Sequence, residues 1–255
     1  MRSETLILFA AVWMTGAQVT VAQNPEAEAR QLLMDSLQAH GGADGAARAR
    51  QIVLTGTVRS RVAGGGFAER SFRIHAGGRG AFRAEFSADG FTRVYVSDGE
   101  LARVSQNGKR KGLKLSISAN RLFPFFPLNG LFAALTGNEL RPLRRDDSTD
   151  VLAAEFAYLD ARPHIPRSRS LRRRYRVGVD PESLLVSSMT LFSSYGERFV
   201  PEEPAEIVEY TDYRLVDGIP APFSVRVLLP GGFLESEYLV DLVEFVLDDP
   251  DLSLP

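Results

Sequence analysis

Three Asx-Gly dipeptides, Asp89-Gly90, Asp98-Gly99 and Asn107-Gly108, follow one another at intervals of about nine residues, and they constrain this chain more than any other feature. Each permits the positive φ angles that a two-residue hairpin turn demands. The runs they separate, "GAFRAEF", "FTRVYVS" and "ELARVS", are short and rich in aromatic and β-branched residues. Consecutive hairpins specify an antiparallel meander. "QIVLTGTVRSR" and "FAERSFRIH", divided by "AGGG", lead into it as two further strands. Strand-like runs resume at 151–159, 171–179, 184–193, 205–215, 220–229 and 233–247, broken by Asp180-Pro181, "VDGIP" and "PGG".

Ahead of the strands lies one amphipathic helix, expected from Pro25 to Ala39. Asn24 suits its N-cap and Pro25 its first position; Glu26 and Glu28 suit its positive end, and His40-Gly41-Gly42 supplies the stop. Ala29, Leu32, Leu33, Ser36 and Leu37 fall on one face and require an apolar partner. With a second helical stretch at 128–135, the pattern predicts an α+β protein built on one large, curved antiparallel sheet of about ten or eleven strands. No internal repeat or low-complexity linker divides the chain, which reads as one domain over residues 23–255.

The formal net charge of -2 conceals an asymmetry. From Gln23 to Arg176 there are 26 basic and 15 acidic residues; from Val177 to Pro255 there are 3 and 16. If the two parts interleave in one sheet, opposite charges lie across neighbouring strands. The overall charge does not mark a nucleic-acid binder.

The first 22 residues have the layout of a secretory signal peptide: Arg2, an apolar run from Leu6 to Met14, and small residues up to Ala22, where cleavage is expected. Gly16, Gln18 and Thr20 interrupt the run before it reaches the roughly twenty residues a membrane span needs. The expected product is an exported, periplasmic protein without disulfides, since the chain has no Cys.

Reactive chemistry finds little material here. There is no Cys nucleophile, no G-x-S-x-G elbow, no G-x-G-x-x-G before a helix and no P-loop. His40, His75 and His164 stand in a helix stop, a strand and a Pro-flanked loop, without the short spacings of a metal site, and are expected in surface or cap roles. The acidic pairs Asp146-Asp147 and Glu202-Glu203 sit in polar connections. The expectation is a non-enzymatic protein with no cofactor, no metal and no nucleic-acid partner.

Two features remain. "RPHIPRSRSLRRRYR", Arg162 to Arg176, holds seven arginines. It reads either as a phosphate-contacting surface or as a charged loop and a solvent-facing or edge strand that resists pairing, the second being favoured. "NRLFPFFPLNGLFAALTG", residues 120–137, gathers Leu122, Phe123, Phe125, Phe126, Leu128, Leu131 and Phe132. Pro124 and Pro127 bar regular helix across the two Phe pairs they flank. Physical reasoning alone leaves core and cavity lining level as explanations.

His40-Gly41-Gly42, Gly56, the Asp98-Gly99 turn, Asp180-Pro181, and Tyr210, Asp212, Tyr213, Asp217, Gly218 and Pro222 carry a resemblance to the LolA-like outer-membrane lipoprotein-sorting proteins. It runs over essentially the whole chain after the leader. The resemblance implies an incomplete β-barrel, one strongly curved antiparallel sheet with helices and loops covering the concave face as a lid. It further implies a monomeric periplasmic carrier or receptor for lipid or lipoprotein acyl chains, loaded or unloaded by an envelope membrane complex. The helix from Pro25 to Ala39 and the segment from Leu122 to Leu135 would form the lid. A non-catalytic envelope protein-protein interaction module on the same scaffold is the alternative.

Overall fold

The computed structural model describes residues 25–49, 51–77, 81–98, 102–111, 127, 131, 135, 139–141, 152–160, 171–193 and 206–253. Two helices come first, α1 (Pro25–Ala39) and α2 (Gly42–Arg48). The first flank of the sheet is β1 (Ile52–Arg61), β2 (Phe67–Ala76), β3 (Ala81–Ala88), β4 (Phe91–Asp98), β5 (Ala102–Gln106) and β6 (Lys109–Lys111). The second is β7 (Glu139–Arg141), β8 (Leu152–Asp160), β9 (Leu171–Val179), β10 (Val186–Ser193), β11 (Glu206–Val216), β12 (Ile219–Leu229) and β13 (Phe233–Phe245). All eleven strands expected from the sequence form, and the three-residue β6 and β7 join them.

Among the described residues these strands make one antiparallel sheet in the order β6-β5-β4-β3-β2-β1-β13-β12-β11-β10-β9-β8-β7. The chain works outward from the centre to one edge, restarts at the other edge and returns, so that its first and last long strands pair in the middle. The order is linear and the sheet open, as in an incomplete barrel.

That topology accounts for the divided charge. The basic first half and the acidic last half meet where β1 pairs with β13, and a cross-strand row runs Glu209, Arg226, Glu237, Arg59, Glu69 through five strands with alternating sign. Arg226 reaches Glu209 at 3.1 Å and Glu237 at 3.9 Å. The row lies on the face away from the main core. On the same face the C-terminal segment 246–253 is tied down: His75 Nε2 donates to the Asp248 carbonyl at 2.9 Å, and the Arg83 guanidinium donates to the carbonyls of Asp251 and Ser253.

Bulges interrupt the long strands and let the sheet bend. Between Thr55 and Gly56 the register of β1 against β13 shifts, and a Cβ on Gly56 would stand only 2.0 Å from the Leu239 carbonyl oxygen. Glycine is therefore required by the close approach of β13. The tight turns follow the dipeptide chemistry: Asn107 and Gly108 have φ of 49° and 73°, and Asp217 and Gly218 have 48° and 80°, the pairing of positive angles that suits twisted hairpins. At Asp89-Gly90 only the glycine is positive.

α1 has the bounds its sequence predicts, but α2 has no counterpart in the sequence reading. "GADGAAR" is glycine-rich and reads as loop, yet Gly42, Gly45 and Ala46 are buried and their small size lets α2 sit close against its neighbours. Pro127, Leu131 and Leu135, spaced four apart, are also helical. None of the helices among the described residues is long and apolar enough to cross a membrane.

Candidate functional site

The face of the sheet opposite the charged row carries the one large apolar surface among the described residues. Strand alternation puts Ile52, Leu54 and Val58 of β1 on it, followed across the register by Ile74 and Phe72 of β2 and Ala84 and Phe86 of β3. The other flank contributes Val177, Met189, Val208, Tyr210, Phe223, Val225 and Val240. All are buried in a single cluster, and Phe72 meets Tyr238 edge-on at 5.5 Å between ring centroids. This is the inner face.

α1 joins that cluster through Ala29, Leu32 and Leu33 and touches β7 and β8. Ala29 and Leu33 are wholly excluded from solvent. The predicted helix face is thus the buried one, Ser36 included. Leu131 is also wholly buried in the cluster, Pro127 is buried, and Leu135 packs against the cluster from its edge. Of the residues expected to bind an apolar ligand, Leu131 is the one the structure describes; Leu122, Phe123, Phe125, Phe126, Leu128 and Phe132 lie outside the described residues.

The sequence puts His40 in a surface or cap role, but it is fully buried at the end of α1, where its Nε2 accepts the Val186 N–H at 3.1 Å. Nε2 is therefore the unprotonated nitrogen, and Nδ1 carries the proton, with no acceptor in good hydrogen-bond geometry among the described residues. Burial drives the imidazole pKa from 6.5 to about 4; the Pro220 carbonyl opposes this weakly. The Tyr213 hydroxyl donates to the Val186 carbonyl at 2.6 Å, and its ring lies 5.6 Å from the imidazole. Both backbone groups of Val186 are thus taken by side chains, at the point where a register shift breaks the pairing of β10 with β9.

Residues scattered through the resemblance meet at this knot. Gly41 and Gly42 have φ of 96° and 64°, which turns the chain from α1 into α2. Arg48 of α2 reaches the Asp217 carboxylate at 2.9 Å and stacks over Phe245 at 5.0 Å, fastening α2 to the β11–β12 turn and to the end of β13. Buried Tyr210 donates to the Met189 sulfur at 3.5 Å. Desolvation raises the Tyr210 and Tyr213 phenol pKa values well above the usual range, so both stay neutral donors. The knot ties the end of α1 to β10 through His40 and Val186; among the described residues it contains no nucleophile with an adjacent base.

Of the two forms expected for the arginine-rich strand, solvent-facing or edge, β9 is not the edge, because it pairs with β8 on one side and β10 on the other. Residues 162–170, the first part of that segment, lie outside the described residues. His75 is in β2 as expected, and His164 also lies outside the described residues. Among the described residues no group of three or more His, Asp or Glu side chains could hold a metal ion.

An open antiparallel sheet whose inner face packs against a helix from the chain's start defines a LolA-like fold. The chain is similar to a LolA superfamily protein from Nitrosomonas europaea, at 11% identity and a TM-score of 0.55, over 87% of this chain and 94% of that one. It is similar also to a candidate outer membrane lipoprotein-sorting protein domain from Vibrio parahaemolyticus (10% identity, TM-score 0.50, 86% and 93%). A DUF1329 family protein from Desulfovibrio piger matches at 14% identity and TM-score 0.51, over 87% and 93%. At these identities the likeness is one of fold. No family model matches the sequence, and no curated protein matches it.

Proposed function

We propose that this chain is an exported periplasmic carrier or receptor that binds an acylated or otherwise apolar ligand, such as lipid or lipoprotein acyl chains, between the inner face of its sheet and a lid made by α1 and the segment from Leu122 to Leu135. The observation that supports this most is the shared cluster of α1, Leu131 and the inner strand faces. An acyl chain entering there would take over contacts now made by lid side chains. Each methylene so buried contributes about 0.8 kcal/mol, so one or two chains give substantial affinity after the cost of ordering the lid. Release then requires a membrane or protein partner that offers the chain a comparable apolar environment. No step calls for a cofactor or for catalysis.

Trp13, in the leader, is the chain's sole tryptophan, so an environment-sensitive lipid probe is read without tryptophan background after cleavage. Saturable binding that weakens in Phe125→Asp and Phe132→Asp proteins with unchanged melting temperatures is the expected result. No saturable binding, or binding indifferent to both substitutions, contradicts the reading.

A second reading, an envelope interaction module, draws on Phe67 and Phe233, which are exposed at neighbouring hairpin ends with Arg59 over the first ring and Arg61 over the second. A stoichiometric protein partner recovered from the native envelope without lipid favours it.

A further inference from the structure

Several arginines described in the structure have carboxylate partners: Arg226 with Glu209, Arg83 with Glu85, Arg48 with Asp217 and Arg214 with Asp212. Two on the inner face have no carboxylate partner among the described residues. Arg70 donates to the Ser60 hydroxyl at 2.8 Å. Arg93 donates to the Tyr95 hydroxyl at 3.3 Å and to the Gln106 side-chain carbonyl at 2.9 Å. Every one of these acceptors is neutral. Both guanidinium groups stack on the same ring, their central carbons 4.9 and 5.3 Å from the Phe91 centroid.

The position of the pair matters as much as its lack of counter-charge. Arg70 stands opposite Val58, and Arg93 stands opposite Phe86, which in turn faces Phe72. Val58, Phe72 and Phe86 belong to the buried apolar cluster. The two arginines therefore mark the boundary where the apolar surface ends, beside the Asp89-Gly90 hairpin, and both are only half-buried. Each guanidinium has N–H donors beyond those it gives to these neutral acceptors, and its planar fork matches carboxylate and phosphate oxygens.

We infer that Arg70 and Arg93, braced on Phe91, form an oxyanion-binding site that receives the carboxylate or phosphate head of an amphiphile whose hydrocarbon lies along the inner face. The inference rests on the inner face being the ligand surface and specifies what the ligand carries at its end. Hydrogen bonds to charged groups exceed neutral ones, and at a half-exposed site the gain corresponds to about tenfold in affinity.

The test compares a fluorescent long-chain fatty acid and an alkyl phosphate with the methyl ester of the same fatty acid, on wild type and on Arg70→Gln/Arg93→Gln protein. The expected result is about tenfold tighter binding of the two anionic probes than of the ester by wild type, and equal binding of all three by the double variant. Equal binding by wild type, or a preference that survives the substitutions, overturns the site while leaving the apolar carrier standing. Failure of every probe to bind removes the carrier reading and the site together. Inorganic phosphate binding as tightly as the alkyl phosphate overturns the amphiphile and makes the pair a site for a free anion. Should the double variant fail to fold, Arg70→Lys/Arg93→Lys protein, which keeps the charge and loses the fork, must show a reduced preference; an undiminished one overturns the role of the stacked guanidinium groups.

Discussion

His40 makes stability depend on pH in a direction that can be worked out beforehand. In the unfolded chain its imidazole takes up a proton near pH 6.5, whereas burial in the native protein delays protonation until about pH 4. Below pH 6.5 the unfolded state therefore binds the extra proton, and stability must fall as pH drops from 6.5 to 4, levelling off below. The whole interval amounts to roughly 3 kcal/mol, of which about 2 kcal/mol is lost by pH 5. Urea unfolding of wild type and of His40→Gln protein at about pH 7.5 and about pH 5 isolates the effect, because His75, His164 and the carboxylates contribute alike to both. The glutamine side-chain carbonyl of that variant can still accept the Val186 N–H, so the variant is expected to be weakened modestly at the higher pH and to lose about 2 kcal/mol less than wild type on acidification. A parallel pH dependence of the two proteins would refute the buried, neutral imidazole and the knot built on it.

Three further substitutions probe the frame. Gly56→Ala should cost about 3 kcal/mol or more, the large end of single-residue effects, because the new methyl meets the Leu239 backbone; a variant as stable as wild type would show that the β1–β13 junction is looser than described. Tyr213→Phe leaves the Val186 carbonyl without its donor and should lower stability by about 1–3 kcal/mol in denaturant titrations, while an unchanged midpoint would place that carbonyl in water. Arg226→Ala, although it removes two ion pairs, should cost under about 1 kcal/mol because the pairs are part-exposed and screened; a larger loss in thermal melts would make the charged row a structural element.

Much of this frame can be read in the sequence because hairpins are local. Asn107-Gly108 and Asp217-Gly218 dictate their turns through their own backbone preferences, and the helix face of Ala29, Leu33 and Ser36 is visible in spacing alone. α2 is not, since what it docks against lies far away in sequence: Arg48 meets Asp217 of the β11–β12 turn, 169 positions on. The role of His40 is hidden for the same reason: nothing near it in sequence tells that Val186 will present an N–H to its ring. The place of the strand Leu171–Val179 is hidden for a different reason. Its charge is compatible with a solvent-facing strand or an edge, and only pairing with β8 and β10 on either side excludes the edge. For the candidate site, the aromatic residues at 122–132 stand out in the sequence, but of the expected ligand-binding residues the structure describes Leu131 alone, in the core. The arginines at 70 and 93 do not stand out, because only cross-strand register brings them to one ring.

The claim that binds these observations together is that the inner face holds an acyl-bearing ligand. It is tested most directly by purifying the protein from its own envelope, extracting it with organic solvent and identifying what is released by mass spectrometry. The account predicts about one amphiphile per protein, with hydrocarbon chains and an anionic head. Envelope-purified protein that yields no lipid above an unrelated exported protein prepared alongside it would contradict the account.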